Sequence, residues 1–397
     1  MNSKYTISLQ SAILMNLNIM AGAGIFVNIV DLTKTLGICA GVLYLMVGLL
    51  MFPLVFTFAR LVEQFPSGAF YAFAKPMGSF LGFISSWTYF FGKLASATFL
   101  IHVATLFLQQ LIPWLAGCNA LILDCGILVM FLWLNSMNLR IGVLIQRGFF
   151  VAKFIPMILL IGLGVYHCNI NILQDVVCVH ANQFIVMLPL VLYCFSGFEA
   201  ACSVSRNIVH PSVNAPKAIF YSFFSIILVY FVFQTLIACM LVLSIENLQT
   251  YVQAFPFLMK FLPMSVVVQQ KCATFISFLI GFSAMGAAYG LLFSNAWNLY
   301  ALAEHKHVVG SQHLTRLNQH GGPIGAILVE GLICALFLLL TRGAKIPLQQ
   351  TAALGCTLTY TISSIAYVVM HRGKTVLGIC SLATCCSFLI ACFLSAA

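Results

Sequence analysis

Charged residues are scarce in this sequence: Asp, Glu, Lys and Arg make up 7% of its 397 residues, against 62% hydrophobic residues. This excludes a soluble globular protein, in which about a quarter of the residues carry charge. No linker rich in Pro, Ser or charge divides the chain, so we expect a single membrane domain over 1–397. The net charge of +10 does not indicate a nucleic-acid partner, because no basic stripe carries interleaved exposed aromatics.

Apolar segments recur along the whole chain, each long enough to cross a bilayer as a helix of about 18–25 residues. They predict an all-α integral membrane protein with about eleven spans, embedded in the lipid bilayer. The predicted spans lie near 10–32, 37–59, 80–112, 119–139, 148–167, 184–206, 218–243, 272–303, 323–341, 348–370 and 375–396. The first apolar run has no signal-peptide cleavage site after it, so we interpret it as a true span.

The distribution of Lys and Arg predicts the orientation. Of the 18 basic residues, eleven fall on the side that holds the N-terminus, five fall on the other side, and Lys93 and Lys153 lie within spans. Basic residues concentrate in cytoplasmic loops. We therefore expect a multi-pass protein of the cell membrane with a cytoplasmic N-terminus.

The cysteines and histidines predict neither a metal site nor a cofactor. Most of the 15 cysteines lie in apolar segments, and no spacing among them requires a bridge or a metal. Cys118 with Cys125, or Cys168 with Cys178, are alternatives for pairing on the outer side. The histidines of one polar loop fit no ligand motif and are expected to be solvated: His305, His307, His313 and His320.

Two of the predicted helices are interrupted by glycine at matching places in the two halves of the chain. The first break centres on Gly22 and Gly24, and the second on Gly197. Because each half contains five spans, an odd number, the second half begins on the opposite side of the membrane from the first, and the two halves have opposite orientations. We therefore predict an inverted repeat over about 10–167 and 184–370, with an extra helix at about 375–396. Paired breaks in such a repeat mark the midplane binding site of a secondary transporter.

The breaks suit a zwitterionic ligand. Backbone N–H groups exposed where a half-helix begins attract a carboxylate, and carbonyls freed at the other break attract an ammonium group. The predicted binding residues of an α-amino acid are Ala21, Gly22, Ala23, Gly24 and Ile25 of the first break and Phe195, Ser196, Gly197 and Phe198 of the second. The alternative is that these glycines only permit close helix packing.

Ionisable residues within the spans are candidates for coupling. Glu199 directly follows the second break, where it either carries a proton or bonds across helices as a structural carboxylate. Lys153 either stands where a transporter would bind Na⁺ or extends to the membrane surface. Lys93 and Glu330 are assigned a partner or structural role.

Other pocket residues are inferred from helix position alone. Phe195, Phe198 and Tyr89 are candidate lids, although core packing is the usual role of such rings. The candidates for the side-chain pocket are Ser96, Ala97, Ser283 and Met285.

Four stretches in order resemble the amino acid–polyamine–organocation permeases. They are 22–26 (Gly-Ala-Gly-Ile-Phe); 65–71 with Gly78, Gly82 and Trp87; 197–199 with 210–211 and 215–219; and 300–303 with 317–318 and 322–323. The resemblance implies the five-plus-five fold of the LeuT type and an amino acid carrier working by alternating access. It also implies that the unwound segments hold the substrate's charged ends. Lys153 matches the fifth-helix lysine that replaces a sodium ion in many members.

The chain departs from the family pattern at several positions. Arg206 and Asn207 stand where members commonly carry an acidic pair, and Trp297 stands where an arginine is expected. Residues 305–307 replace an Asp-Gly motif, and a twelfth span is missing, which is either native or a truncation. These departures concern the cytoplasmic gate and the dimerising tail, not the predicted binding site.

Together these features predict a permease for neutral amino acids, driven by proton coupling or by exchange. A cationic substrate would need a further carboxylate in the pocket. The alternatives are an antiporter exchanging an amino acid for its amine, and a membrane amino acid sensor without transport. An enzyme or a channel is disfavoured, because no polar cluster lies at one face and no polar pore is evident. The particular amino acid, the flux direction and the oligomeric state are left open.

Overall fold

The first membrane segment is divided into three helices. The computed structural model describes residues 6–66, 69–137, 139–167, 180–372 and 375–396. Helix α1 spans Leu9–Met20, α2 spans Ala23–Val27 and α3 spans Ile29–Leu36. Ser8 caps α1 by accepting a hydrogen bond from the Ser11 amide at 3.3 Å, a common way to satisfy a free helix amide.

The remaining helices of the first half follow in chain order: α4 (Ala40–Leu50), α5 (Phe52–Gln64), α6 (Phe70–Ala74), α7 (Ser79–Leu111), α8 (Pro113–Ala116), α9 (Ala120–Asn135) and α10 (Leu139–His167). Helices α4 and α5 are separated only by Met51, and Pro53 lies in the first turn of α5, where its missing N–H removes no hydrogen bond. Met51 N donates to Val47 O, and Val55 N donates to Met51 O, both at 2.9 Å, so helical bonding continues through Met51 and runs further than the predicted 37–59.

The second half begins with another divided helix. Its helices are α11 (Ala181–Phe195), α12 (Ala200–Ser203), α13 (Pro211–Leu241), α14 (Tyr251–Leu258), α15 (Val266–Glu304), α16 (Ser311–Leu314), α17 (Ile324–Thr341), α18 (Lys345–Met370) and α19 (Val376–Ala396). A short backbone pairing also joins the two halves, because Ile7 donates to Asn207 O at 2.7 Å and accepts from Val209 N at 3.0 Å.

The membrane-spanning character of these helices agrees with the prediction. Within the described residues, nine segments are long and apolar enough to cross a membrane, and the shorter apolar helices α9 and α11 bring the total to eleven. The all-α prediction with about eleven spans is confirmed. The repeat boundaries stay a prediction, and Cys168 and Cys178 lie outside the described residues.

Helices α7 and α15 form the centre of the molecule. They pack along each other and are joined by buried hydrogen bonds: Asn298 Nδ2 donates to Ser86 O, and Asn295 Nδ2 to Phe90 O, both at 3.1 Å. Helix α17 lies at the periphery, because only 33% of its residues are buried inside the molecule. A lipid-facing helix of this kind has few places for a polar side chain, and these lie on its inner face.

Candidate functional site

The first break is an extended segment that packs closely on two other helices. Helix α1 ends at Met20, and Gly22 is extended, with φ −69° and ψ −165°, before α2 begins. A Cβ atom at Gly22 would lie 2.6 Å from the Ala287 Cβ, and one at Gly24 would lie 3.1 Å from the Cys194 Sγ. The absence of a side chain therefore brings the main chain of this break against α15 and α11.

The second break requires glycine for two reasons. Helix α11 ends at Phe195, and Gly197 has a φ of +137°, in the region that side chains rarely adopt. A Cβ atom at Gly197 would lie 2.6 Å from the Ile19 Cγ2 and 3.2 Å from the Met20 N. The two breaks therefore contact each other directly, as the sequence hypothesis of a shared site requires.

The backbone groups released at the breaks have partners on other helices. The Tyr230 hydroxyl donates to the Met20 carbonyl and, at 3.2 Å, to the Cys194 carbonyl. Asn16 Nδ2 donates to the Phe198 carbonyl at 2.7 Å, and its Oδ1 accepts from the Ala201 amide at 3.0 Å. Such partners are needed because a bare N–H or C=O costs several kcal/mol in hydrocarbon.

Lys153 lies in the interior and does not reach the membrane surface. The side chain is fully buried, and Nζ donates to the Asn18 carbonyl at 2.5 Å, close to the first break. Asn18 also bonds through Nδ2 to the Gly286 carbonyl at 2.9 Å, which joins α1 to α15. The Lys153 nitrogen is therefore bonded to the main chain of α1 beside the first break.

Lys93 and Glu199 form an ion pair at the second break. Lys93 Nζ lies 2.5 Å from Glu199 Oε1 and donates to Ser196 Oγ at 2.6 Å, and both charged side chains are fully buried. The other oxygen, Glu199 Oε2, accepts from the Gly197 amide at 2.9 Å. The charges at this break are thus neutralised within the protein.

A narrow cavity lies between the breaks, with room for about one water molecule. Its lining residues are Ile19, Met20, Gly22, Gly24, Ser96, Leu100, Tyr193, Cys194, Ser196 and Leu291. Four of them, Gly22, Gly24, Ser96 and Ser196, belong to the sequence predictions. Sequence analysis missed Tyr193, whose hydroxyl accepts from Ser96 Oγ at 3.2 Å. The feature of the sequence that could have identified Tyr193 is its position two residues before the end of α11.

The remaining predicted binding residues surround this cavity at different distances. Ser283 Oγ donates to the Ala21 carbonyl at 3.4 Å, behind the first break. Ala21 and Ile25 are fully buried but do not line the cavity, and Ala97 and Met285 do not line it either. Of the nine predicted residues of the breaks, Gly22, Gly24 and Ser196 line the cavity, and of the four guessed pocket residues, Ser96 does.

The predicted lid residues lie in aromatic clusters next to the second break. The Phe195 ring contacts Tyr44 at 6.1 Å and Tyr230 at 5.3 Å between centroids. The Phe198 ring contacts Phe58, Phe223 and Tyr360 at 5.6–5.9 Å. Tyr89 stacks on Phe70 at 3.9 Å. None of the three predicted rings lines the cavity in this closed arrangement.

An ion pair joins α3 to α18 at one side of the molecule. Lys345 pairs with Asp31, donates to the Val27 carbonyl at 3.2 Å and lies 5.7 Å from the Tyr251 ring centre. Burial, together with the nearby Asp31 carboxylate, raises the pKa of Tyr251 to about 12. This cluster joins the first broken helix to the loop helix α14.

The opposite side carries a second ion pair and two of the loop histidines. Arg206 lies 2.6 Å from Glu304, and the Tyr71 hydroxyl lies 2.6 Å from His307 Nε2. His305 stacks on Tyr71 at 4.2 Å, and its pKa is lowered, chiefly by burial. These histidines thus contact protein in addition to solvent. The described residues contain no cluster of His, Cys, Asp and Glu suited to a metal.

Comparison with known protein sequences gives consistent results. A family model described as amino acid permease matches residues 7–397. The chain is 25% identical over 274 residues to the amino-acid permease AapA of Bacillus subtilis, covering 64% of this chain and 56% of that protein. It is 22% identical to the serine permease SerP1 of Lactococcus lactis, over 85% of this chain and 76% of that protein. It is 21% identical to the aromatic amino acid transport protein AroP of Escherichia coli, over 90% and 80% respectively.

Comparison with solved structures identifies the fold. The structure superposes on a substrate-bound, outward-open, Na⁺-coupled sialic acid symporter with a TM-score of 0.61. The match covers 97% of this chain and 90% of that chain, at 12% sequence identity. At this identity the similarity concerns the architecture and carries no information about substrate or ions.

Proposed function

The chain belongs to the amino acid permease family, and from that premise we propose that it is a secondary active transporter of neutral amino acids. Its resemblance to the amino acid–polyamine–organocation permeases and its LeuT-type fold are both confirmed. Its relatives are transport proteins rather than enzymes. The observation that carries the proposal is the contact of two broken helices around one polar cavity.

The substrate backbone would be held by main chain at the breaks. Amide groups at Gly22 and the first residues of α2 would face the carboxylate, and carbonyls at the end of α11 would face the ammonium group. The cavity has room for about one water molecule in this closed arrangement, so admission of an amino acid requires the helices around it to separate. Alternating access provides that separation.

Neutral side chains suit the charge balance of the site. The carboxylate at the second break, Glu199, is neutralised by Lys93, which leaves no net charge for a cationic side chain to pair with. The relatives named for serine and for aromatic amino acids point in the same direction. We therefore propose a small or aromatic neutral substrate.

Lys153 supports a mechanism without sodium. Its side-chain nitrogen bonds to the Asn18 carbonyl beside the first break, so this carbonyl already has a partner. A sodium ion bound at the break would need the same oxygen as a ligand. We propose proton coupling or amino acid exchange, with Lys153 and Glu199 linking the conformations of the two breaks to substrate binding.

The orientation follows from the basic residues. With the N-terminus in the cytoplasm of a cell-membrane protein, the Asp31–Lys345 pair lies on the outer side and the Arg206–Glu304 pair on the inner side. Both pairs are formed in this structure. Transport would require each pair to open in turn.

Uptake into proteoliposomes tests the proposal. Purified protein is supplied with labelled neutral amino acids under a proton gradient, a sodium gradient, internal amino acid, or no driving force. Uptake driven by protons or internal amino acid supports the proposal, and the driving condition separates symport from exchange. Uptake that needs sodium, or no uptake by folded protein under any condition, would contradict it.

A substitution in the first break tests the site itself. Gly24→Val should abolish amino acid binding, because its methyl groups would meet Cys194 and Tyr193, which already lie 3.1–3.2 Å from an added Cβ. Gly126→Val is the matched control, since no atom lies within 4 Å of its added Cβ. Unchanged affinity in Gly24→Val would overturn the site assignment.

A further inference from the structure

Glu330 is a buried carboxyl group in the middle of the lipid-facing helix α17. It is 0% exposed, and neither of its carboxyl oxygens has a hydrogen-bond partner. It lies on the inner stripe of the helix with Ala326, Ile327, Gly331 and Cys334, at the spacing of one helix face. A buried ionised carboxylate would cost more free energy here than a neutral carboxylic acid, because no group replaces the water that the charge loses.

Glu330 differs in this respect from the other acidic residues. Of the chain's eight Asp and Glu residues, seven lie in the described part. Five of these seven have a cationic or histidine partner within 4 Å: Asp31, Glu63, Asp124, Glu199 and Glu304. Glu246 is exposed to solvent. Among the described residues, Glu330 is therefore the one acidic side chain that is both buried and without a counter-charge.

The polar side chain beside Glu330 is Asn295 on α15, whose amide group can hydrogen-bond to a carboxyl in either protonation state. Asn295 Nδ2 is engaged by the Phe90 carbonyl at 3.1 Å, and its Oδ1 is buried without a partner. A protonated carboxyl can donate its O–H to the amide oxygen, so one proton satisfies two orphaned groups.

No other ionisable group of the described residues offers Glu330 a charge. Cys334 lies one turn along α17, and its Sγ lies 3.9 Å from the Leu94 carbonyl. Several ionisable side chains on the helices packed against α17 have other partners: Lys93 pairs with Glu199, His102 with Asp124 and Glu304 with Arg206, and Tyr289 packs among Phe131, Phe149 and Phe293. His313 on α16 is exposed to solvent. Arg342 and Lys345 lie beyond the opposite end of α17.

We propose that Glu330 is the proton-binding residue of the transport cycle, protonated and bonded to Asn295 whenever α7, α15 and α17 are closed against one another. This rests on the proposed transport function. When the helices separate and water enters, the carboxyl O–H bond breaks, leaving a carboxylate in place and releasing a proton to water. Reprotonation restores the neutral acid. Because the interface cannot close around a bare carboxylate, closure and proton binding become linked.

Infrared spectroscopy tests the protonation state without any transport assay. At neutral pH, the purified protein should show the carbonyl-stretch band of a protonated carboxylic acid. The band should be lost in Glu330→Gln and retained in Glu199→Gln and in the exposed matched control Glu63→Gln. Absence of the band from the wild type, or its persistence in Glu330→Gln, would overturn the proposal.

Transport assays then test coupling. Proteoliposomes with Glu330→Gln should lose proton-driven accumulation of labelled neutral amino acids and lose the pH dependence of uptake. Counterflow, which moves substrate without net proton movement, should persist. Accumulation equal to wild type would overturn the coupling role, and equal loss of counterflow in folded protein would reduce Glu330 to a structural residue. If the wild type shows no proton-driven uptake, the infrared result still decides whether Glu330 holds a proton.

Discussion

Glu199 and Glu330 are both fully buried within the membrane segments, yet their surroundings are opposite. Glu199 lies 2.5 Å from the Lys93 ammonium and accepts a hydrogen bond from the Gly197 amide. Neither oxygen of Glu330 has a hydrogen-bond partner, and no charged group faces it. The same residue type is therefore stabilised as an ion in one place and as a neutral acid in the other. Whether a membrane carboxyl carries a proton depends on its neighbours, not on burial alone.

The largest effect is expected when Glu199 is made to resemble Glu330. Lys93→Met removes the counter-charge and should destabilise the protein by about 3–5 kcal/mol, since a carboxylate is left buried and unpaired. Thermal unfolding in detergent measures this loss. The double variant Lys93→Met with Glu199→Gln should recover most of it, and no recovery would show that Lys93 stabilises through packing instead.

A smaller effect is expected for Glu199→Gln. The amide oxygen still accepts a hydrogen bond from Lys93, so we expect a loss of about 2 kcal/mol in unfolding free energy. The pH profile of uptake separates the two carboxyls: it should keep its shape if Glu330 holds the proton. A flattened profile would return the proton-carrying role to Glu199, as the sequence hypothesis has it.

Lys153 is a buried basic residue that can be compared with these two carboxyls. Lys153→Met leaves the Asn18 carbonyl buried without its donor, which costs about 1–3 kcal/mol. We expect impaired uptake in protein that still inserts into the membrane, with exposed Lys271→Met as the matched control. Full uptake activity would show that the ammonium group has no part in coupling.

The smallest effect is expected for Glu330→Gln. A neutral acid and an amide are similar in size and both can hydrogen-bond to Asn295, so the unfolding free energy should change by less than about 1 kcal/mol. A loss as large as that of Lys93→Met would contradict a neutral Glu330. The same Glu-to-Gln change should thus cost more at position 199 than at position 330.

The spans and the helix breaks were predictable from the sequence because they depend on local properties. A run of about 20 apolar residues crosses a bilayer wherever it lies, and Gly22, Gly24 and Gly197 weaken a helix through their own backbone freedom. The contact of the two breaks followed from their matching positions in the repeat. The fold class and family, inferred from motifs along the chain, were predicted in the same way.

Only the tertiary structure decided which side chains meet within the membrane. Lys93 and Glu199 are 106 residues apart, and Asn16 and Lys153 reach the breaks from helices whose rotation no local pattern specifies. The rotation of α11 places Tyr193 in the cavity and Phe195 behind it. In a chain that is apolar on nearly every helix face, amphipathic periodicity cannot distinguish the interior from the lipid side. The pairing of Glu199 and the isolation of Glu330 therefore depended on how the helices pack.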